Sequence, residues 1–333
     1  MAACVCNSGF VISQHLGVQC VYRASPYDTL DGSVKLGEVM GDDGLAIIRR
    51  GHITQINIMG QPVASGVIVL KTLQTSRKIS QEKLDKRFRN ECSIWSRLCH
   101  INIIPLLGVW TQPAAKPGDP PKLPSFVAPF YKFGTLYTFI DANRSKSLAS
   151  VPFRYQMVTG IYNGIAHLHS RRIVHADLQP SNIMIDDHGR PRISDFGFAK
   201  IYDEFGFTSS APISKTRYAP PEAGTDAEKG LAQAESIGGL CSGGKGSKRG
   251  DVWSFGMVAL LVIGGYEPFW RTPQIELVRQ YVKGGKIPAK DHYEPITDEV
   301  WTMLRSCWVW KGSRRSQITE IDITCISNPN PRL

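Results

Sequence analysis

The sequence has no stretch long and apolar enough to cross a bilayer. The run MVALLVIGG at residues 257–265 is less than half of the ~20 residues a spanning helix requires, and no membrane partner is expected. No two cysteines stand as Cys-x-x-Cys, which removes the commonest zinc-site spacing. Lys and Arg never run longer than two, so the net charge of +10 and pI near 9.2 describe a spread basic surface and not a concentrated patch. Such a surface attracts acidic partners. Without a patch or interleaved aromatics, no specific nucleic-acid partner is expected. The first twenty residues have neither the basic start nor the long apolar core of a secretory signal. The Met-Ala opening and Pro-Arg-Leu ending fit no myristoylation or prenylation pattern, and no internal repeat is visible. Eight cysteines occur, at 4, 6, 20, 92, 99, 241, 307 and 325. Cys92, Cys99 and Cys307 fall in helical, apolar settings and are expected as buried thiols. A reducing compartment and a cytoplasmic location are the corresponding expectations.

What is present is ordinary for a globular chain. Of 333 residues, 42% are apolar and 20% charged, enough to bury a core in one large or two small domains. The informative stretch is 174–197, VHADLQPSNIMIDDHGRPRISDFG. Asp177 is followed five positions later by Asn182, and Asp195 opens an Asp-Phe-Gly turn. Between them an apolar run, Ile183-Met184-Ile185, leads into the turn-like Asp-Asp-His-Gly. The spacing predicts a hairpin that sets Asn182 beside Asp195, two oxygen ligands suited to Mg²⁺, with Asp177 left to accept a proton or orient a hydroxyl. Upstream, the run Gly66–Lys71 reads as a strand ending in a lysine, followed by a helix over about 81–99 with Glu91 in its middle. Residues 151–170 read as a long helix whose stripe is Val158, Ile161, Ile165 and Leu168.

The order His175-x-Asp177-Leu-x-Pro-x-Asn182, then Asp195-Phe196-Gly197, resembles the catalytic and metal-binding loops of the protein kinase superfamily, and within it the tyrosine-kinase-like, serine/threonine branch. The resemblance covers roughly residues 36–325. It implies an α+β, two-lobed fold: a small antiparallel sheet lobe with one helix, a larger mainly helical lobe, and ATP in the cleft. The implied organisation is a tail at 1–34, a small lobe at 35–131, a large lobe at 132–325 with a mobile insert at 224–250, and a tail at 326–333.

The same resemblance implies the roles. Lys71 holds the nucleotide's α- and β-phosphates and pairs with Glu91. Gly41 and Ile48 bracket the glycine loop, Val69 roofs the adenine pocket and Ala128 gates its back. Pro129 offers a carbonyl and Tyr131 an N–H to the base, and Met184 forms the floor. Asn182 and Asp195 hold Mg²⁺. Asp177 orients the acceptor hydroxyl and takes its proton. His175 and Phe196 support the loop, Asp251 braces its backbone, and Glu222 pairs with Arg315. The implied activity is transfer of the ATP γ-phosphate to serine or threonine hydroxyls of a protein substrate.

Several positions depart from the family pattern. Asp43 and Ala46 stand where loop glycines are expected, although Gly44 offers an alternative turn. Val69 replaces a smaller residue. Ala176 replaces an arginine that reads phosphate on the activation segment, so phosphorylation of Thr208, Ser209 or Ser210 is not expected to be required. Gln179 replaces a lysine that meets the γ-phosphoryl, and Lys215 is a candidate to compensate by reaching back toward Asp177. These departures keep a second reading open, a scaffold with weak or no catalysis that at most holds nucleotide.

Overall fold

The computed structural model describes residues 34–42, 46–53, 56–58, 61–63, 66–74, 81–113, 116, 123–143, 150–201, 217–223, 247–293 and 295–327. Residues 1–33 of the expected tail, Asp43, Gly44, Thr208, Ser209, Ser210, Lys215, residues 224–246 of the expected insert at 224–250 and the last six residues lie outside the described residues, while residues 248–250 of that insert open a helix. The chain divides into two units, Met1–Tyr131 and Lys132–Leu333. Among the described residues, one is a sheet with a single helix and the other is mainly helical, as the α+β expectation required.

In the first unit, β1 (Val34–Asp42), β2 (Ala46–Ile53), β5 (Gly66–Leu73), β7 (Ser125–Pro129) and β6 (Gly108–Trp110) form an antiparallel sheet in that order. A separate two-stranded ribbon joins β3 (Ile56–Ile58) and β4 (Gln61–Val63). The apolar alternation of β5 fixes which face is which, because successive side chains point to opposite faces. Ile68 and Leu70 join Ile53, Trp110 and Val127 in one buried cluster. Lys71 therefore falls on the opposite face, beside its register partner Phe126. Helix α1 (Gln81–Trp95) stacks Phe88 on Phe126, with ring centroids 4.5 Å apart, and seats Trp95 at 5.7 Å from the same ring.

The helix ends at Trp95, four residues short of the expected Cys99. The Nδ1 of His100 accepts a hydrogen bond from the backbone of Asn102, and the chain turns away. Cys99 corrects the thiol expectation, being half-buried and disulfide-bonded. Cys92 and Cys307 are buried free thiols. Burial and the neighbouring Glu91 push Cys92 up to about 11, and burial pushes Cys307 up to about 12.

The second unit is built on α3 (Val151–Ser170) and α4 (Lys248–Gly264). Pro152 in the first turn of α3 costs no hydrogen bond there, and Val158, Ile161, Ile165 and Leu168 form its buried stripe. Every residue of α4 from Gly250 onward is buried. Its ends are marked by Ser247, whose hydroxyl accepts from Gly250 N–H, and by Gly265 at φ 75°. Helix α6 (Asp298–Cys307) lies so close to α4 that a Cβ on Gly256 would stand 2.6 Å from the Cβ of Cys307. Helix α2 (Leu136–Asn143) and helix α5 (Ile275–Lys283) complete the larger helices. Short strands β8 (Ile173–Val174) and β11 (Lys200–Ile201) pair, and β9 (Ile183–Ile185) forms a hairpin with β10 (Pro191–Ile193). No helix among the described residues is long and apolar enough to cross a membrane.

Candidate active site

Register places the first unit's candidate residues. Gly41 pairs with Ile48, Ile48 with Lys71, and Val69 with Ala128. Partners across a ladder share a face, as do residues two apart, so Gly41, Ile48, Val69, Lys71 and Ala128 line one side of the sheet. That is the side α1 covers, and Glu91 reaches down from it. Lys71 Nζ lies 2.7 Å from Glu91 Oε1, with the carboxylate out of contact with solvent. A buried pair of this kind fixes geometry more than it adds stability. Pro129 ends β7 half-buried, and Tyr131 is buried. Ala46, the first residue of β2, is buried against the sheet. A Cβ on Gly41 would meet only the Cβ of Ile48, at 4.0 Å, so packing does not demand glycine there.

In the second unit the loop after β8 is shaped from outside. Asp251, in the first turn of α4, accepts hydrogen bonds from the backbone N–H groups of His175 and Ala176, both 2.9 Å, and lies 2.9 Å from His169 Nε2. Ala176 takes a left-handed φ of 65°, a conformation a side chain adopts only where surrounding structure holds it. His175 Nδ1 accepts from Asp177 N–H at 3.2 Å, which leaves its Nε2–H to donate to the Ser194 carbonyl at 3.0 Å. The fully buried His175 ring packs against Phe196 at 5.7 Å.

Two amides converge on Asp177. Asn182 Nδ2 donates to its backbone carbonyl at 2.8 Å and to Oδ2 at 2.9 Å. Gln179 Nε2 donates to the same Oδ2 at 2.8 Å. The β9–β10 hairpin continues into a bond from Ser194 N–H to the Asn182 carbonyl, 2.9 Å, which sets Asp195 beside Asn182. Asp195 has φ 63°, and its Oδ1 accepts from Gly197 N–H. With the Asn182 nitrogen spent on Asp177, its amide oxygen and the Asp195 carboxylate are the hard oxygen donors offered here. No cluster of three or more His, Cys, Asp or Glu suited to a metal occurs among the described residues. A two-ligand oxygen set nevertheless fits Mg²⁺, which completes its octahedron with water and phosphate oxygens. Met184 is half-buried, bridged to Thr135 and opposite Arg192.

The supporting pair is also assembled. Fully buried Arg315 meets Glu222 through both terminal nitrogens, at 2.8 and 3.2 Å, and donates to the carbonyls of Arg249 and Val309. Its guanidinium lies over the Trp253 ring at 5.1 Å.

Sequence reasoning missed four contributors. In the sequence Gln179 marks only the place of a missing lysine and gives no sign that it donates to Asp177. His169 gave no signal beyond a place in the last turn of α3. Arg217 donates to the carbonyls of Pro268, Phe269 and Thr272, so it ties the Arg217–Ala223 segment to the loop after α4. Asp186 closes the hairpin turn. It accepts from the backbone of His188 and Arg190 and from the side chains of Arg190 and Arg192. Burial raises its carboxyl, but the Arg190 N–H and the Arg192 guanidinium outweigh that and hold it below the usual range.

Comparison with known proteins adds family evidence. The family described as "Protein kinase domain" matches residues 47–323. The tyrosine-protein kinase Abl of Drosophila melanogaster is 28% identical over 71% of this chain. Cysteine-rich receptor-like protein kinase 41 of Arabidopsis thaliana is 31% identical over 56%. A G-type lectin S-receptor-like serine/threonine-protein kinase of the same plant is 29% identical over 66%. The chain spans only 13% to 25% of the length of these relatives.

Proposed function

Because the chain belongs to the protein kinase domain family, we propose that it transfers the γ-phosphoryl group of ATP to serine or threonine hydroxyls of protein substrates. The observation that carries this reading is the held carboxylate of Asp177, with Gln179 and Asn182 amides on one oxygen and its loop pinned by Asp251. In the transfer, the acceptor oxygen forms a bond to the γ-phosphorus while the bond to the β–γ bridging oxygen breaks. That electron pair leaves with ADP. The hydroxyl proton passes late to Asp177, which needs only to orient the nucleophile because the transition state is loose. Lys71, fixed by Glu91, is suited to meet the α- and β-phosphates. Asn182 and Asp195 would hold Mg²⁺, which when bound neutralises charge on the phosphate oxygens. The preference for serine and threonine rests on Pro180-Ser181-Asn182 and on the receptor-like relatives; Abl, among the relatives, is named a tyrosine kinase.

The test is transfer of labelled γ-phosphate from Mg²⁺-ATP to a panel of protein substrates, with acid hydrolysis to identify the phosphorylated residue and Asp177→Asn run alongside. Phosphoserine or phosphothreonine that disappears in the variant supports the reading. Nucleotide binding without transfer above the variant favours the scaffold. The buried Ala46 at a loop-glycine position is the observation on that side.

A further inference from the structure

We propose that Gln179 is a positioning residue for this transfer, fixing the plane of the Asp177 carboxylate as a neutral donor where a cation would be expected. The inference rests on the kinase reading for its effect on turnover, and on geometry for the contact itself. Gln179 Nε2 lies 2.8 Å from Asp177 Oδ2, and the residue is 3% exposed. Water therefore competes poorly for that amide. The backbone prepares the contact. Pro180 restricts the residue before it to extended conformations, and Gln179 has φ −162° and ψ 163°. An extended residue places its side chain on the same side as the one two positions earlier, which here is Asp177. The 3-10 turn Pro180–Asn182, closed by Asn182 N–H on the Gln179 carbonyl at 2.9 Å, then returns the Asn182 amide to the same oxygen.

Two donors on one carboxylate oxygen, arriving from positions 179 and 182, define the carboxylate's plane in a way that one donor cannot. Gln179 thus keeps the orienting bond while giving up the charge. With Ala176 also in place of an arginine, the loop from His175 to Asn182 carries no Lys or Arg. Such a loop relies on bound metal and on Lys71 to offset phosphate charge, while its own residues supply direction.

The experiment uses the full chain. Gln179→Leu keeps approximate size and removes the donor. It is expected to lower kcat by about 10²-fold, the scale on which a small misplacement of a reacting group is felt, with the KM for ATP changed less than twofold. In an Asp177→Asn background the same substitution should have little further effect, since Gln179 acts through Asp177. Gln179→Lys, which restores a donor of similar reach, should recover most of what Gln179→Leu loses.

A second readout is independent of turnover. The side-chain amide resonances of Gln179, assigned by their loss in Gln179→Leu, are expected to shift in Asp177→Asn. If the native chain transfers phosphate and Gln179→Leu matches it in kcat, or alters only KM, the positioning role is overturned and the kinase reading stands. If the resonances ignore Asp177→Asn, the contact itself is overturned. If the resonances respond but no phosphate is transferred, the kinase reading falls, taking the positioning role with it and leaving the contact in place.

Discussion

A largely buried lysine side chain needs its counter-charge within reach, and at Lys71 that charge is the fully buried Glu91 carboxylate, 2.7 Å away. Removing one member leaves the other charge buried alone. Lys71→Met is therefore expected to lower folding stability by about 3–5 kcal/mol, read from urea midpoints. The double variant Lys71→Met, Glu91→Leu should be less destabilised than the single one. Equal midpoints for native and Lys71→Met chains would show that the pair is not held in a dry site. The partnership of Gln179 with Asp177 was harder to read in the sequence. Comparison with a lysine there tells what charge is gone, and says nothing about which hydrogen bond survives. His169 is less legible still. It meets Asp251 across 82 positions, and a tertiary contact of that length leaves no local mark.

At the level of elements, the β9–β10 hairpin shows what a short turn gains from one acid. Asp-Asp-His-Gly was legible as a turn, but not the four hydrogen bonds Asp186 collects from His188, Arg190 and Arg192. Because its carboxyl is held below the unfolded value of ~3.9, the stabilisation is fully present above that value. It is lost as pH falls through the lower folded-state value. Asp186→Asn should flatten the acid side of a stability-versus-pH curve and lower the plateau at neutral pH. An unchanged acid limb would mean that other carboxylates set it. Helix α3 was legible end to end because its apolar stripe is long and periodic. The end of α1 was not. The apolar pattern continues past Trp95, while the backbone bonds there tighten to three-residue turns, Arg97 N–H to the Ile94 carbonyl and Leu98 N–H to that of Trp95, which close the helix.

For the molecule as a whole, the two-part α+β plan was legible because the motifs come in fixed order and each part has its own hydrophobic period. What the motifs do not carry is the molecule's charge. At +10, with no single concentrated run, the expectation is a long-range pull on acidic proteins over the surface at large. Phosphorylation of an acidic protein substrate should therefore show a KM that rises several-fold as salt goes from low to physiological strength and beyond. A basic substrate should show the opposite trend or none. A salt-independent KM for both would mean that recognition is confined to short-range contacts.

Asp251 has one more consequence. Its carboxylate steers the course of the loop from 76 and 75 positions further along the chain, through the backbone N–H groups of His175 and Ala176. A backbone anchored in this way tolerates exchange of the residues it carries. An arginine can give way to Ala176, and a lysine to Gln179, without the loop changing its path. Where the scaffold of a site is held apart from its side chains, those side chains are open to substitution, and the site can drift in chemistry while its shape stands still.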